Sequence, residues 1–345
     1  MGKSFASDNN TPVHPLIMQA MTDANCGDYV SYGADPYTEQ AETLLRKTFG
    51  KRSQPFLVFT GTAANVLGLS TVLESYHSVI APDTAHIHVD ECGALENLTG
   101  AKLITVPSVD GKLTSEKVRP FLHALGVEHH AQPRAISITQ PTELGTVYTT
   151  EEIRELADFA HHHGLILHMD GARLANAAAF LKASLKSMTA DAGVDILSFG
   201  GTKNGMMFGE SVIFFNPEHA AAFKYRRKQG MQLGSKMRYL AAQFIGYLSN
   251  GLWLENAEKA NAMARVLAQK ALSLSGVELF QPVETNGVFV RLPRESIVPF
   301  QKESFFYVWD EEACEVRWMT AYDTSSDDID GFIAIGEKIL GRKKT

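Results

Sequence analysis

The chain holds only three cysteines among its 345 residues, Cys26, Cys92 and Cys314. Their odd number and wide separation exclude a disulfide framework and a cysteine-based metal site, and fit free thiols in a reducing compartment. Long apolar runs are also missing. None approaches the roughly twenty residues that span a bilayer, and the N-terminal MGKSFASDNN lacks the apolar core of a signal peptide. A cytoplasmic location with no membrane partner is therefore expected. Nor is there an excess of positive charge: the formal net charge of −7 argues against nucleic acid, whose partners concentrate basic residues on one face. Internal repeats and low-complexity linkers are absent. With 45% hydrophobic and 21% charged residues, the composition is that of a globular protein long enough for one large domain and a smaller one. Small molecules are the expected ligands.

Between positions 55 and 215, short β-rich runs alternate with helical stretches, the pattern of βαβ units and a mostly parallel sheet. Strands are predicted over 55–59, 78–81, 103–107, 135–139, 165–169, 195–199 and 211–215. Asp35-Pro36 reads as an N-cap with proline at the first helical position, and Gly50 stops that helix. Beyond 215 the alternation gives way to helical runs over 217–228 and 236–275, the second broken near Gly251. Strands over 277–280, 287–291, 305–308 and 316–320 then precede a last helix over 326–340. The predicted fold class is α/β. An N-terminal segment and a large domain, with a mostly parallel mixed sheet between helices, occupy 1–245, and a smaller C-terminal α+β domain occupies 246–345.

The chemistry concentrates in HMDGARLANAAAF, residues 168–180, and in LSFGGTKNGMMFGE around Lys203. An acid at a strand end, an arginine after it and a lone lysine on a glycine-rich turn are what pyridoxal 5′-phosphate chemistry needs. The lysine amine holds the aldehyde, and the acid keeps the pyridine nitrogen protonated so that the ring can accept electrons. Period-two alternation puts Ile166, His168 and Asp170 on one side of a strand and Leu165, Leu167 and Met169 on the other. Asp170 thereby falls at the carboxyl end, where ligands collect in open α/β sheets. It could equally cap the following helix. Lys203 sits among Gly200, Gly201 and Gly205, where the backbone can bend and admit a bulky ligand, and burial would lower its pKa toward the free amine. A lysine on a surface turn is the competing interpretation.

Further candidates lie elsewhere in the chain. Gly61 and Thr62 open a helix directly after a strand, and the exposed amides at such a start bind anions. His86, with His88 as rival, is placed to cover the face of a ring while keeping a nitrogen for acid or base work. Arg317 sits in an interior-looking strand and needs a partner, either a substrate carboxylate held in a bidentate fork or a structural acid. No metal site is expected. The consecutive His161-His162-His163 point to different sides of a helix that Gly164 closes.

In this order, these pieces resemble the low-specificity L-threonine aldolase family, pyridoxal phosphate enzymes of the aspartate-aminotransferase fold, fold type I. The resemblance runs through Phe5-Ala6-Ser7-Asp8-Asn9, positions 32–36 and 60–65, Ala85-His86 with Glu91, positions 168–176, Lys203, and Val316-Arg317 with Asp323. It implies that Lys203 carries the cofactor, Asp170 pairs with the pyridine nitrogen, and Arg173 lies near the phenolate oxygen and the substrate carboxylate. His86 would stack on the ring, Gly61 and Thr62 would hold the phosphate, and Ser7 with Arg317 would bind the carboxylate. Two departures stand out. Where many members have Thr-His-Asn-Gly and Ser-Lys-Gly-Leu-Gly, this chain has Thr142-Glu143-Leu144-Gly145 and Gly-Gly-Thr-Lys-Asn-Gly, variants similar to those of a bacterial branch that also contains phenylserine aldolases.

The implied reaction is retro-aldol cleavage of L-threonine, L-allo-threonine or a related β-hydroxy-α-amino acid to glycine and an aldehyde. His86 is the first candidate for the base and Glu143 the next. A β-eliminating lyase or an aminotransferase acting on another amino acid is the alternative. The resemblance also implies a homodimer, or a tetramer built from dimers, with active sites at the dimer interface.

Overall fold

The β-rich runs between 54 and 214 are apolar on both sides, which suits strands covered by helices above and below. In the computed structural model, which describes residues 3–343, they form one seven-stranded sheet. Its strands are β1 (Gln54–Val58), β2 (His77–Pro82), β3 (Lys102–Val106), β4 (Gln132–Thr139), β5 (Ile166–Gly171), β6 (Ile196–Gly200) and β7 (Glu210–Phe214), in the order β1-β7-β6-β5-β4-β2-β3. Only β7 runs against its neighbours; the other pairings are parallel. The carboxyl ends of β1, β2, β4, β5 and β6 therefore share one edge of the sheet with the start of β7. That edge is where a ligand crevice forms in such folds.

Alternation divides the core into two layers, as predicted for β5. Leu167, Met169, Leu197, Phe199 and Ile213 pack on one face, while Ile166, Ile196, Val212 and Phe214 pack on the other. The helix Gly61–Leu69 lies on the second face. It can approach because residue 68 is glycine: a Cβ there would stand 3.1 Å from Val212 Cγ1 and 3.3 Å from Ile196 Cγ2.

Past β7 the first predicted helical run divides further than the sequence suggests, while the second breaks near Gly251 as expected. The first splits into Pro217–Ala220 and Phe223–Gln229, and the second into Met237–Leu248 and Leu252–Ala271. The second break lies where Asn250 and Gly251 take positive φ. A smaller antiparallel sheet follows, made of β8 (Glu278–Leu279), β9 (Gly287–Arg291), β10 (Tyr307–Asp310) and β11 (Glu315–Met319) in the order β10-β11-β9-β8. β10 begins two residues later than predicted, because Phe306 turns inward against Phe300 at 5.3 Å between ring centroids and leaves the ladder to Tyr307. The core under this sheet gathers Phe300, Phe306, Trp318, Phe332 and Phe5. Phe5 belongs to the N-terminal segment, which is anchored there by Met319 N donating to Phe5 O at 2.7 Å.

Trp318 is fully buried and lies 5.0 to 6.0 Å from the rings of Phe332, Phe300 and Phe306. Trp318→Ala is expected to cost about 3–5 kcal/mol of unfolding free energy, read from the midpoint of a denaturant titration followed by circular dichroism.

Candidate active site

Asp170 ends β5 between Thr139 of β4 and Ser198 of β6. It does not cap the next helix: Leu174–Leu181 has Arg173 at its N-cap, with no side-chain cap. The Asp170 carboxylate is instead held inside the site, accepting from the Ala172 amide at 2.9 Å and from Asn65 Nδ2 at 2.8 Å. Burial opposes its ionisation, but the charges of Lys203 and His86 and these donors hold its pKa below the ordinary carboxylate value. Beneath it, His168 shares hydrogen bonds with Ser137 and Ser198, and burial pushes its pKa down to about 4. A neutral imidazole thus underlies a charged carboxylate.

The ends of β2 and β4 supply the next layer. His86 opens the short helix His86–Val89, and its Nδ1 donates to Glu91 Oε1 at 2.8 Å. That bond raises the imidazole pKa against the opposing effect of burial. Glu91 Oε1 also accepts from Asn65 Nδ2 at 2.9 Å, so one asparagine amide ties Asp170 to the His86 partner. Glu143, on the turn after β4, accepts from the His86 amide at 2.9 Å and from Thr139 Oγ1 at 2.7 Å, both through Oε1. Its Oε2 is buried without a partner, and burial pushes its pKa up to about 7.

Three cationic side chains face this carboxyl-rich edge, in three different states. Arg173 is spoken for: Nε and Nη2 donate to the two oxygens of Asp8 at 2.7 and 2.8 Å, and Asp8 accepts a further bond from Asn286 at 2.9 Å. Burial disfavours the Asp8 carboxylate, yet Arg173 overrides it and lowers the pKa. Lys203 sits on the tight turn Thr202–Asn204 after β6. Among the described residues it has no hydrogen-bonding side chain, and burial, reinforced by repulsion from Arg173, lowers its pKa. Arg317 has a buried Nε with no partner. Its guanidinium lies over the rings of Tyr307 and Trp309 at 5.9 and 5.5 Å, and burial followed by repulsion from Arg173 brings its pKa to about 10. The structural acid that could have explained Arg317 is not found among the described residues.

Ser7 caps the turn Asp8–Asn10, beside the Asp8–Arg173 pair. At the start of the Gly61–Leu69 helix, the Thr60 hydroxyl accepts from the Ala63 amide. The amides of Gly61 and Thr62 come ahead of any intrahelical acceptor, so they project free from the positive end of the helix. A Cβ on Gly61 would meet nothing within 4 Å, leaving that end open.

These groups fit pyridoxal phosphate. A lysine drawn toward its free amine suits an aldehyde, a carboxylate held ionised suits a ring nitrogen, and a helix start with free amides suits a phosphate. The partnerless Arg317 Nε suits the carboxylate of an amino acid. Three residues of this arrangement carry little weight in the sequence. Asn65 could have been found as a lone polar residue on the apolar face of AANVLGL, and Glu210, which opens β7 and accepts from Thr202 Oγ1 beside Lys203, as the one charge on the apolar strand ESVIFF. Asp8 offers no such signal, since its partners lie at positions 173 and 286.

Comparison with known proteins agrees with this geometry. The family model for beta-eliminating lyases matches residues 4–295. A low specificity L-threonine aldolase from a Pseudomonas species is 42% identical, over 92% of this chain and 96% of that protein. Among solved structures, a threonine aldolase from Leishmania major superposes with a TM-score of 0.91 at 29% identity, covering 97% of this chain and 98% of that one. An aromatic aminotransferase from Pyrococcus horikoshii shares the fold, with a TM-score of 0.70 at 16% identity over 98% and 95% of the two chains.

Asp8→Asn would leave the guanidinium of Arg173 buried without its counter-charge, with an expected loss of about 3–5 kcal/mol near neutral pH. The folded pKa of Asp8 is depressed, so its contribution is full above the unfolded value of about 3.9 and disappears as pH falls through the folded value. Denaturant titrations of wild type and variant should therefore converge in acid.

Proposed function

The chain belongs to the beta-eliminating lyase family, alongside low specificity L-threonine aldolases, and from that premise we propose that it cleaves L-threonine, L-allo-threonine or a related β-hydroxy-α-amino acid to glycine and an aldehyde with pyridoxal 5′-phosphate. The observation that carries this reading is the pairing of an ionised Asp170 with a partnerless Lys203 at adjoining strand ends. When bound, pyridoxal phosphate supplies the electron sink for the charge left on Cα as the Cα–Cβ bond breaks.

Lys203 would hold the cofactor through its amine, Asp170 would keep the ring nitrogen protonated, and Gly61 and Thr62 would bind the phosphate through their amides. His86, steadied by Glu91, would lie against the ring. Arg317 and Ser7 would fix the substrate carboxylate and so orient the bond to be broken. Arg173, its fork closed on Asp8, would act near the ring oxygen chiefly through its charge.

The base is better assigned to Glu143 than to His86. Removing the proton of the substrate β-hydroxyl needs a group unprotonated at working pH, with a lone pair to spare. Glu143 Oε2 has no partner, and burial places its pKa near the working range. The bond to Glu91 instead favours the charged form of His86. His86 keeps the second claim, as a ring imidazole whose own backbone N–H donates to Glu143 Oε1.

The large unit would occupy 1–245 and the smaller 246–345, a division supported by the helix break at Ser249–Gly251. A homodimer or tetramer with active sites at the dimer interface is supported by the exposed side chains of Val30, Tyr32, Tyr225 and Met231. The three free cysteines support a cytoplasmic location. No helix among the described residues is long and apolar enough to cross a membrane.

Purified protein supplied with pyridoxal phosphate is expected to develop the visible band of a lysine-bound pyridoxal and to release glycine and acetaldehyde from L-threonine. Pyruvate with ammonia, or a keto acid, as the product would favour β-elimination or transamination instead. Glu143→Gln should lower kcat by about 10²–10⁴-fold and abolish the fall in kcat/KM below pH about 7 that the raised Glu143 pKa generates. If His86→Asn rather than Glu143→Gln removes that acid limb, the base is His86.

A further inference from the structure

The first residue of β7 is a carboxyl group to which the reading above gives no task. Glu210 is only 7% exposed, and it stands opposite Gly200 of β6 and Val58 of β1. It fills the space left above Gly200, where any Cβ would come within 1.8 Å of its Oε2. Its Oε1 accepts from Thr202 Oγ1 at 2.6 Å, and that hydroxyl oxygen in turn accepts from the Gly209 amide at 3.1 Å. Thr202 is the residue immediately before Lys203. The lysine turn is thus clamped, one bond away from the lysine, to a buried carboxyl group.

Hydrogen bonding alone does not account for an acid here. Glutamine would present the same acceptor to Thr202 in nearly the same volume, without the penalty of burying a charge. No cation forms an ion pair with Glu210 among the described residues, and the charge it feels most strongly is that of Lys203.

We propose that Glu210 is a positioning residue for Lys203, fixing its turn through the Thr202 hydroxyl and adding a variable counter-charge that biases the lysine amine between its protonated and free forms. The proposal rests on Lys203 as the cofactor lysine.

Five ionisable groups face Lys203: Arg173 after β5, Asp8 from the N-terminal segment, Asp170 on β5, Glu210 on β7 and His86 after β2. Three of them keep their charge across neutral pH. The pKa values of Asp8 and Asp170 are lowered and that of Arg173 is raised. Glu210 differs, because burial, opposed by its bond to Thr202, brings its pKa to about 7. Asp170 faces Glu210 from β5, and the Tyr247 phenol on the helix Met237–Leu248 feels its charge. That phenol is pushed up by burial far out of the neutral range and stays neutral. Glu210 is accordingly the one carboxyl group facing Lys203 whose charge changes where the enzyme would work, whereas His86, whose pKa is raised by Glu91, titrates independently of it. When it is neutral, Lys203 loses a stabilising anion and shifts toward the free amine. When it is ionised, the ammonium form is favoured and the turn is held more tightly by a charge-assisted bond.

The test follows the reactivity of Lys203 against pH in the full-length protein freed of cofactor, by reductive methylation with formaldehyde and quantification of the Lys203 peptide by mass spectrometry. In wild type the rate should show an inflection near pH 7 in addition to that of the amine itself. Glu210→Gln, which keeps the acceptor and removes the charge, should leave only what His86 contributes to the inflection and lower the Lys203 pKa by about one unit, a roughly tenfold faster reaction at a fixed pH above about 7 and below the pKa of the amine. Thr202→Val should keep the inflection and speed hydrogen exchange at the Gly209 amide. A wild-type profile without the inflection overturns the proposal whether or not the variants fold, and so do superimposable profiles of wild type and Glu210→Gln. Borohydride reduction with pyridoxal phosphate separates the two levels. Failure to fix the label on Lys203 would sink the cofactor assignment and leave the lysine titration to decide the role of Glu210.

Discussion

The buried ion pair between Arg173 and Asp8 is the interaction on which the rest of the site depends. A buried arginine at the carboxyl edge of the sheet, close to the buried Lys203, would be costly if it stood alone. Asp8 answers it with both oxygens, and Asn286, just before β9, steadies Asp8. One carboxylate therefore joins the N-terminal segment, the turn after β5 and the strand region around β9. The pair also settles which arginine is left over. With the fork of Arg173 closed, Arg317 keeps a buried Nε with no partner, and repulsion from Arg173 adds to the effect of burial on its pKa. A free, desolvated guanidinium is what a small carboxylate ligand can satisfy.

Around this pair the same chemical group is kept in different states. Asp170, Glu143 and Glu210 are all carboxyl groups at strand ends along one edge. Asp170 accepts from two donors and feels Lys203 and His86, so it stays charged. Glu143 has the Thr139 hydroxyl and the His86 amide but no cation among the charges it feels most strongly, Glu210 has the Thr202 hydroxyl and only Lys203, and the pKa values of both rise to about 7. Environments that drive like groups apart in pKa are how one site obtains a permanent charge and proton-exchanging groups together. Here the separation arises chiefly from the distribution of cations, because all three are buried and Asp170 and Glu143 each accept from two donors.

The architecture was legible in the sequence because its strands are apolar runs of the right length, punctuated by glycine and by cap residues. Each predicted strand is present, and Asp35, Thr60 and Ser325 cap helices as such residues should. Lys203 and Asp170 were legible for a similar reason: a charge at the end of an apolar strand is an exception that asks for an explanation. What was hidden depends on contacts distant in the chain. Asp8 meaningfully differs from Asn9 and Asn10 only once Arg173 is beside it. Asn65 became a hub only when helix Gly61–Leu69 closed over β6 and β7. The state of Glu143 was hidden too, since an acid on a polar-looking turn reads as solvated, whereas the fold buries its Oε2.

His168 shows how far the charge of Asp170 is owed to the cations above it. Directly below the carboxylate on the same face of β5, a protonated imidazole would have been the simplest stabiliser. The fold instead buries His168 between Ser137 and Ser198, where its pKa falls to about 4, so it contributes shape and hydrogen bonds but no charge near neutral pH. The ionisation of Asp170 must then be sustained from the ligand side, by Lys203, His86 and the Asn65 amide. Any change in the charge of Lys203 is felt by Asp170, because each is among the other's electrostatic neighbours. The acid and the lysine are in this sense one titrating unit, and the groups that surround them set where that unit rests.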